Sequence, residues 1–287
     1  MPKKKSVSKE TPVFDMSDHS SDSEEELVGD LFGTEEETAP EPEPTFEVYA
    51  RNPLYIKDDD TPKELKIRLV GSHPLWAHHL WNASKVFASM FDEHPSLCRD
   101  KTVLELGAGG ALPSLVASLY ATKVVVTDYP DDELIDNIRY NISSNLGDRS
   151  NIVADGYVWG TATDKLREHL PPNHTTYDVI ILSDLVFNHS QHHALLRTCR
   201  ELLTPKTGRV YVFYTHHRPH LAHKDLEFFE IAQRPVLENV DPDDRELLGY
   251  GLKADHFVKK KMHVMFEEDP GDEEVRATVH GWQLWLP

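Results

Sequence analysis

Short apolar runs alternate with amphipathic segments over most of the chain from about residue 100 onward. The runs are rich in valine and isoleucine, and they lie at 102–106, 123–128, 151–154, 178–183 and 209–214. The segments between them have apolar residues at helical spacing, at 111–120, 131–146, 191–203 and, more weakly, 164–170. Strands that are apolar on both faces and alternate with helices predict βαβ units, and therefore a parallel sheet covered on both sides.

Further elements are predicted on both flanks of this region. Residues 64–76 are typical of a strand followed by a turn, and residues 75–94 have helical spacing. Another helix is predicted at 224–234, and a final strand at 281–287 follows an acidic, glycine-containing loop. That loop covers residues 267–275, and the basic stretch at 257–264 is interpreted as a solvated strand or loop edge. We therefore expect one α/β domain over residues 46–287.

The first 45 residues have a different composition from the rest of the chain. They contain 13 acidic and 4 basic residues, several prolines and few large apolar side chains. Such a segment cannot bury enough apolar surface to offset its conformational entropy, so we expect a disordered acidic tail at 1–45. The whole chain carries a formal charge of −19. Because phosphate binding needs a basic face, this charge argues against nucleic acid and favours a basic partner.

Cysteine content and hydropathy restrict the class of protein further. Cys98 and Cys199 are the two cysteines, too few for a disulfide framework, and neither belongs to a CxxC pair that would suggest structural zinc. No apolar run approaches the roughly 18 residues that a membrane span needs. The N-terminus has no apolar region typical of a signal peptide. These features predict a soluble intracellular protein without a structural metal and without membrane attachment.

A glycine turn follows the first apolar run. Gly107 and Gly109, with Ala108 between them, allow a sharp turn and a close approach of a ligand to the backbone. A strand end followed by a helix N-terminus forms a concave site with N–H groups directed into it. Asp128 lies 21 positions after Gly107, at the end of the next strand, where it can accept hydrogen bonds from both hydroxyls of a ribose. We expect a ribose-bearing ligand, the alternative being a glycine turn with no ligand.

Three ribose-bearing ligands can be compared with this turn. A nucleoside triphosphate needs GxxxxGK[ST], and no lysine follows the glycines. A dinucleotide needs a third glycine at the position of Leu112, so its pyrophosphate site is incomplete. S-adenosylmethionine has no phosphate, and Glu105 at the end of the first strand suits the cationic end of that ligand. The methyl donor is therefore favoured.

Residues after the third and fourth strands can complete a pocket for the methyl donor. Asp155 can accept from the adenine amino group, and Trp159 can stack on the ring, although Trp159 is also consistent with a core residue. Ser183 is small enough to let the ligand pass. Asp184 is expected to be directed toward the acceptor of the methyl group.

Several motifs together resemble the class I seven-strand methyltransferases. They are RLVGSHPLWAHHLWNASK, ELGAGGALPS, VVVTDYPD, DGYVWG and SDLVFNHSQHHALL. More closely, the chain from about Phe46 to its C-terminus resembles the fungal N-terminal and lysine methyltransferases of elongation factor 1-alpha, a family earlier described as nicotinamide methyltransferases. The resemblance implies a Rossmann-like seven-stranded, mostly parallel sheet with helices on both faces. It also implies a set of residues that bind S-adenosylmethionine, namely Trp81, the turn at 107–109, Asp128 with Tyr129, Trp159 and Ser183.

The same resemblance implies the substrate and the location of the protein. The substrates would be the N-terminal α-amine and an adjacent lysine of translation elongation factor 1-alpha, methylated in the cytoplasm by a monomeric enzyme. Two departures from the family pattern are present. A glycine usually found between Tyr120 and Ala121 is missing, and the DxxY motif that often follows the fourth strand ends here in Phe187. A role that depends on a tyrosine hydroxyl at that position is therefore excluded.

Two residues are candidates for catalysis. We expect Asp184 to orient the amine by a hydrogen bond and His189 to contribute to the pocket, although His189 can equally serve to start the next helix. The histidines of THHRPHLAH, at 215–223, have no regular metal-ligand spacing and are interpreted as imidazoles on a substrate-facing loop. Two other functions stay open: a small-molecule methyltransferase acting on nicotinamide or another pyridine, and a non-catalytic module that binds a translation factor.

Overall fold

The computed structural model describes residues 42–58, 60–71, 75–237, 241 and 244–287. These residues fall in one compact unit, Glu41–Pro287. Of the predicted tail at 1–45, residues 1–41 lie outside the described part. Thr45 already belongs to a strand.

A two-stranded hairpin precedes the main sheet. Strand β1 (Thr45–Ala50) pairs antiparallel with β2 (Glu64–Leu69). The side chains of Leu65, Ile67 and Leu69 on β2 alternate with exposed or half-buried residues and are buried. The hairpin thus covers the domain with one apolar face.

Seven strands form the main sheet. They are β3 (Thr102–Leu106), β4 (Lys123–Asp128), β5 (Ile152–Gly156), β6 (Val179–Ser183), β7 (Arg209–Thr215), β8 (Lys253–Lys261) and β9 (Thr278–Trp285). Their order is β5-β4-β3-β6-β7-β9-β8. Strands β3 to β7 are parallel, whereas β9 runs antiparallel to both β7 and β8. The predicted seven-stranded, mostly parallel α/β sheet is confirmed.

Helices cover both faces of this sheet. They are α1 (Asn82–Glu93), α2 (Leu112–Ala117), α3 (Asp132–Leu146), α4 (Asp164–Glu168), α5 (His192–Leu202), α6 (Ala222–Gln233) and α7 (Glu273–Ala277). Helices α1, α2 and α3 contribute to the core on one face, and α4, α5 and α6 to the core on the other. Side chains of β3 alternate between the two cores, since Val103 lies in the first and Leu104 in the second.

The order of the strands reverses at one position of the sheet. From β3 the chain continues outward to β4 and β5, and it then returns to place β6 on the opposite side of β3. Ligands of open α/β sheets bind outside the carboxyl ends of the strands at such a reversal. The crevice at the ends of β3 and β6 is therefore where the fold places a ligand site.

Several element boundaries differ from the predictions, and two of the differences are large. The helix predicted at 75–94 begins only at Asn82, because Trp76 has a φ of 62° and the chain forms turns before it. The acidic loop predicted at 267–275 includes the start of α7, where the Asp272 carboxylate accepts from the backbone N–H groups of Glu274 and Val275. The basic stretch at 257–264 belongs in part to β8, a nine-residue, mostly exposed edge strand, in agreement with its interpretation as a solvated strand or loop edge.

Candidate active site

The glycine turn connects β3 to α2 with a backbone that only glycine adopts easily. Gly107 has a φ of 63° and Gly109 a φ of 51°. The Ala108 N–H donates to the carbonyl oxygen of Thr127 at 3.0 Å, and the Gly109 N–H donates to Asp128 Oδ2 at 2.7 Å. The turn is therefore fixed to the end of the neighbouring strand β4.

Asp128 lies at the junction of the turn with β4. Its side chain is 7% exposed, and its Oδ1 accepts from the N–H of Tyr129 at 2.7 Å. A carboxylate has about four acceptor positions, and two of the donors that Asp128 accepts from are backbone N–H groups. Tyr129 is half-buried and packs with Val70, Ala77 and Leu134. Asp128 and the adjacent Tyr129 therefore lie next to the glycine turn.

Trp159 lies directly against the glycine turn. A Cβ atom added at Gly107 would be 2.8 Å from Cζ2 of Trp159 and 2.7 Å from Cδ2 of Leu185. The indole is half-buried and also packs on the core that contains Leu104 and Leu106. The absence of a side chain at Gly107 is what lets the loops after β5 and β6 approach the turn this closely.

Asp155 has a partner that sequence reasoning did not identify. Its Oδ1 accepts from the Gly156 N–H at 2.8 Å, and its Oδ2 lies 2.8 Å from Nε2 of His169. Asp155 pairs with Thr127 in the sheet register, one residue before Asp128. Its carboxylate is about one-third exposed, and its predicted contact with adenine stays a prediction.

Glu105 is completely buried. Its Oε2 accepts from the Ser114 N–H in the first turn of α2 at 3.1 Å. Burial raises the pKa of this carboxyl to about 8, an effect to which the nearby Asp128 adds. Glu105 therefore holds a proton at pH 7 unless a cation stabilises its charge. Its contact with the cationic end of a ligand stays a prediction.

Asp184 follows β6 in a left-handed backbone conformation, with a φ of 59°. Its side chain is 4% exposed, and Oδ1 lies 3.0 Å from Nε2 of His217 and accepts from the Thr215 N–H at 3.3 Å. Burial alone would lower the pKa of His217, but the charge and hydrogen bond of Asp184 outweigh burial and raise it. The site thus contains a buried ion pair made by the loops after two adjacent strands.

Trp81 borders this ion pair. It immediately precedes α1, and its ring centroid is 4.8 Å from that of His217 in an edge-to-face arrangement. Its Nε1–H donates to the carbonyl oxygen of Trp76 at 3.3 Å. Trp81 therefore contacts His217, and His217 in turn contacts Asp184.

His189 takes part in a different group. Its Nε2 lies 2.7 Å from Asp225 Oδ1, and His216 Nδ1 lies 2.6 Å from Asp225 Oδ2. Asp225 is on α6 and is 4% exposed, so it connects the start of α5, the end of β7 and α6. Burial would raise the pKa of Asp225, but its bonds to the two histidines lower it. The catalytic role of His189 stays a prediction.

Sequence reasoning did not identify His217 and Asp225 as partners of the predicted residues. His217 belongs to the histidine-rich loop that the sequence placed near a substrate. Its pairing with Asp184 depends on β6 and β7 being neighbours. Asp225 lies inside a helix pattern, where one acidic residue gives no signal.

Three buried polar atoms at the ends of β3 and β6 have no hydrogen-bond partner within the described part of the chain: Glu105 Oε1, Ser183 Oγ and Asp184 Oδ2. Buried polar atoms without partners are rare in folded proteins, and a bound ligand can satisfy them. They accompany the fixed glycine turn and the Asp128 carboxylate. This arrangement fits a ligand that has a ribose, a cationic end and a methyl group near Asp184.

The described residues contain neither a metal centre nor a membrane-spanning helix. No three histidine, cysteine, aspartate or glutamate side chains there are grouped to hold a metal ion. In the same residues, no helix is both long and apolar enough to cross a membrane.

The strand order, the glycine turn and the acidic residue at the end of the adjacent strand define the class I S-adenosylmethionine-dependent methyltransferases. A solved structure of a provisionally assigned methyltransferase complexed with SAH has the same fold, with a TM-score of 0.50 and 16% sequence identity. The alignment covers 88% of this chain and 58% of that chain.

The chain belongs to the lysine methyltransferase family, whose model matches residues 60–235. It is 43% identical, over 93% of its length, to the protein N-terminal and lysine N-methyltransferase EFM7 of Cryptococcus neoformans var. neoformans serotype D, of which 91% is covered. The relative of the same name in Schizosaccharomyces pombe is 44% identical over 79% of this chain and 84% of its own length. That in Eremothecium gossypii is 42% identical over 93% of this chain and 98% of its own length. The chain is thus a protein methyltransferase whose cofactor is S-adenosylmethionine.

Proposed function

We propose that this protein methylates the N-terminal α-amine and an adjacent lysine of translation elongation factor 1-alpha in the cytoplasm. The relatives named as protein N-terminal and lysine N-methyltransferases support the two types of amine. The elongation factor is the substrate that the family resemblance implies. The excess negative charge of the chain suits a basic protein partner.

The observation that carries the proposal is the Asp184 carboxylate. It is buried, one oxygen is held by His217 and the Thr215 N–H, and the other has no partner among the described residues. A buried carboxylate oxygen is expensive to leave unpaired, so a donor from the substrate belongs there. An amine supplies such a donor on the reacting nitrogen itself, whereas the reacting ring nitrogen of a pyridine carries no hydrogen.

The nucleophile must be a neutral amine. At pH 7 reaching that form costs about 1 kcal/mol for an α-amine with a pKa near 8, and about 4.6 kcal/mol for a lysine with a pKa near 10.4. When bound, S-adenosylmethionine supplies an electrophilic methyl group on a sulfonium. The chain has to align the amine with that methyl group and keep water away. Asp184 holds the amine by a hydrogen bond, and the positive charge that develops on the nitrogen lies next to its carboxylate.

His217 fixes Asp184 for this role. Its raised pKa keeps the imidazole protonated to a higher pH than that of an ordinary histidine, so it donates to Oδ1 and leaves Oδ2 for the substrate. Trp81 closes the site on the side of His217 and excludes water. His189 acts through Asp225 to hold the loop that carries Asp184.

For the cofactor, we assign the ribose hydroxyls to Asp128 and the adenine ring to Trp159, with Asp155 near its amino group. Support comes from the contact of Trp159 with Gly107 and from the position of Asp128 beside Gly109. Ala108, Tyr129 and Ser183 line the path between them, and Glu105 balances the cationic end.

A small-molecule methyltransferase acting on nicotinamide or another pyridine is the alternative that shares the cofactor site. Tritiated S-adenosylmethionine separates the two functions when the protein is incubated with total lysate. We expect label in the protein fraction, in a band that comigrates with elongation factor 1-alpha. Label only in the small-molecule fraction would contradict the proposal.

A further inference from the structure

The segment between β8 and α7 lies against Trp81 and His79 at the edge of the candidate active site, and we call residues 262–269 the β8–α7 strap. Three hydrogen bonds hold it. The Met262 N–H donates to the carbonyl oxygen of Ala277 at 2.8 Å, and Asn82 Nδ2 donates to that of His263 at 2.6 Å. Nη1 of the largely buried Arg276 donates to the carbonyl oxygen of Phe266 at 2.7 Å. The strap is thus fixed to the first residue of α1, directly after Trp81.

Phe266 adds a third aromatic ring to the row that leads away from Asp184 through His217 and Trp81. Its centroid is 6.0 Å from the ring of Trp81 and 5.1 Å from that of His79, both edge-to-face. Trp81 in turn contacts His217, which holds Asp184. Phe266 is therefore separated by two rings from the carboxylate whose Oδ2 has no partner in the described structure. A substrate chain that reaches Asp184 from the side of Trp81 would contact these rings.

The strap lies outside the part of the chain that the lysine methyltransferase family shares. The family match ends at residue 235, whereas the similarity to the named N-terminal and lysine methyltransferases extends over 93% of the chain. The cofactor residues and Asp184 all lie within or close to the shared part. The segment after residue 235, like the one before residue 60, can therefore carry a determinant of the substrate that distinguishes this chain within the broad family.

The strap also carries negative charge toward the same site. Glu267, Glu268 and Asp269 follow Phe266 directly and are exposed. Asp269 adds, after Asp184 and Asp225, to the raised pKa of His217. An open cavity beside the strap is lined by Lys261, Met262, His263, Val264, Glu267 and Glu273. Carboxylates at the mouth of a site attract and orient cationic ligands.

We propose that the β8–α7 strap is the specificity element of this enzyme: Phe266 packs on the substrate chain beyond the methylated amine, and the carboxylates after it select a basic residue that follows. The inference rests on the proposed function, because it assumes a polypeptide substrate at the Asp184 site.

The test compares Phe266→Ala with Phe257→Ala, an equally drastic change on β8, where Phe257 is 39% exposed and packs on Tyr211 and Phe213. The substrate is a synthetic peptide with a free α-amine followed by lysine. We expect Phe266→Ala to lower kcat/KM for the peptide by roughly tenfold or more, and Phe257→Ala to leave it unchanged. The Kd for S-adenosylmethionine, from titration calorimetry, should stay within about twofold of wild type in both. Equal kcat/KM values for the two variants would overturn the proposal. So would a loss of S-adenosylmethionine affinity in Phe266→Ala as large as its loss of kcat/KM.

A second pair of measurements tests the charge and does not depend on removing the ring. The triple variant Glu267→Gln, Glu268→Gln, Asp269→Asn should lose roughly threefold to tenfold in kcat/KM on the lysine peptide, and this loss should shrink as salt is added. On a peptide with norleucine in place of that lysine, the kcat/KM of the triple variant should equal that of the wild type. Equal losses on the two peptides would overturn the selection of a basic residue. If Phe266→Ala fails to fold, Phe266→Leu keeps the packing and should show a smaller loss of the same kind.

Failure of the proposed function has a different signature. In that case the wild-type protein itself methylates neither the peptide nor elongation factor 1-alpha. If the wild type methylates them and the strap variants do so equally well, only the proposed role of the strap is contradicted.

Discussion

At the scale of single residues, Asp128 is the side chain on which the cofactor site depends most. It holds the glycine turn through the Gly109 N–H and is assigned to the ribose. Hydrogen bonds to a charged group contribute about 1.5–3 kcal/mol each, so Asp128→Ala should weaken S-adenosylmethionine binding roughly 30-fold or more. Titration calorimetry measures the Kd. Asp136→Ala, which removes an exposed partner of Arg139 on α3, is the matched control, and an unchanged Kd in Asp128→Ala would show that the ribose lies elsewhere.

Glu105 links the binding of the cofactor to the release of a proton. Burial raises the pKa of Glu105 in the folded protein to about 8, above its value in an unfolded chain. At any pH between these two pKa values, the folded state binds a proton that the unfolded state has released. The stability that this group contributes is present below the unfolded pKa and is lost as pH rises through the folded pKa. A cationic ligand lowers the pKa of Glu105, so binding of S-adenosylmethionine at pH 7 should release a proton.

Calorimetry in two buffers with different ionisation enthalpies detects this release. We expect the observed binding enthalpies to differ between buffers for the wild type and to coincide for Glu105→Gln. The same buffer dependence in both proteins would mean that Glu105 does not face the cationic end of the cofactor.

At the scale of elements, one buried ion pair fastens the hairpin to the domain. Arg51 follows β1, and its Nε and Nη2 donate to the Asp92 carboxylate of α1 at 2.9 and 2.7 Å, with both side chains 1% exposed. Arg51→Met leaves that carboxylate buried without its cation and should lower the free energy of unfolding by about 3–5 kcal/mol. Urea denaturation measures it.

Two further variants make that prediction specific. Arg139→Met removes an exposed ion pair and should change the free energy of unfolding by less than about 0.5 kcal/mol. Adding Asp92→Leu to Arg51→Met should recover part of the loss, since no unpaired charge is then buried. Similar effects of Arg51→Met and Arg139→Met would show that the pair does not hold the hairpin.

The sequence predicted the parallel strands well because their signal is local. Strands β3 and β4 have the predicted bounds, since residues apolar on both faces and flanked by turns suit only a covered sheet. The start of α1 could not be predicted, because the apolar spacing of residues 75–81 is helical while the backbone at Trp76 is left-handed. A spacing pattern records which side chains are buried, and it does not record backbone conformation.

The site could be predicted in part for a similar reason. Asp128 and Asp184 end strands, so their location follows from the predicted parallel sheet. The pairing of Asp184 with His217 and the bridge that Asp225 makes between His189 and His216 join residues far apart in the chain. Those contacts follow from the order of the strands, which a single sequence does not state.

At the scale of the whole molecule, the apolar core begins with Leu65 and continues through β9. We propose that residues 1–45 form a disordered tail and residues 46–287 the methyltransferase domain. Deletion of residues 1–40 keeps every described residue of that core, and the composition of the deleted segment predicts disorder, so the Tm should change by no more than roughly 2 °C. Differential scanning calorimetry of the full and shortened chains measures this, and a drop of many degrees would show that the tail belongs to the fold.

The central claim is that a polypeptide amine receives the methyl group beside Asp184. Tandem mass spectrometry of elongation factor 1-alpha, after incubation with the protein and S-adenosylmethionine, tests it most directly. We predict methyl groups on the N-terminal α-amine and the adjacent lysine with wild type, and none with Asp184→Ala, which should still bind the cofactor. An unmodified N-terminus with wild type, or the same methylation with Asp184→Ala, would contradict the account.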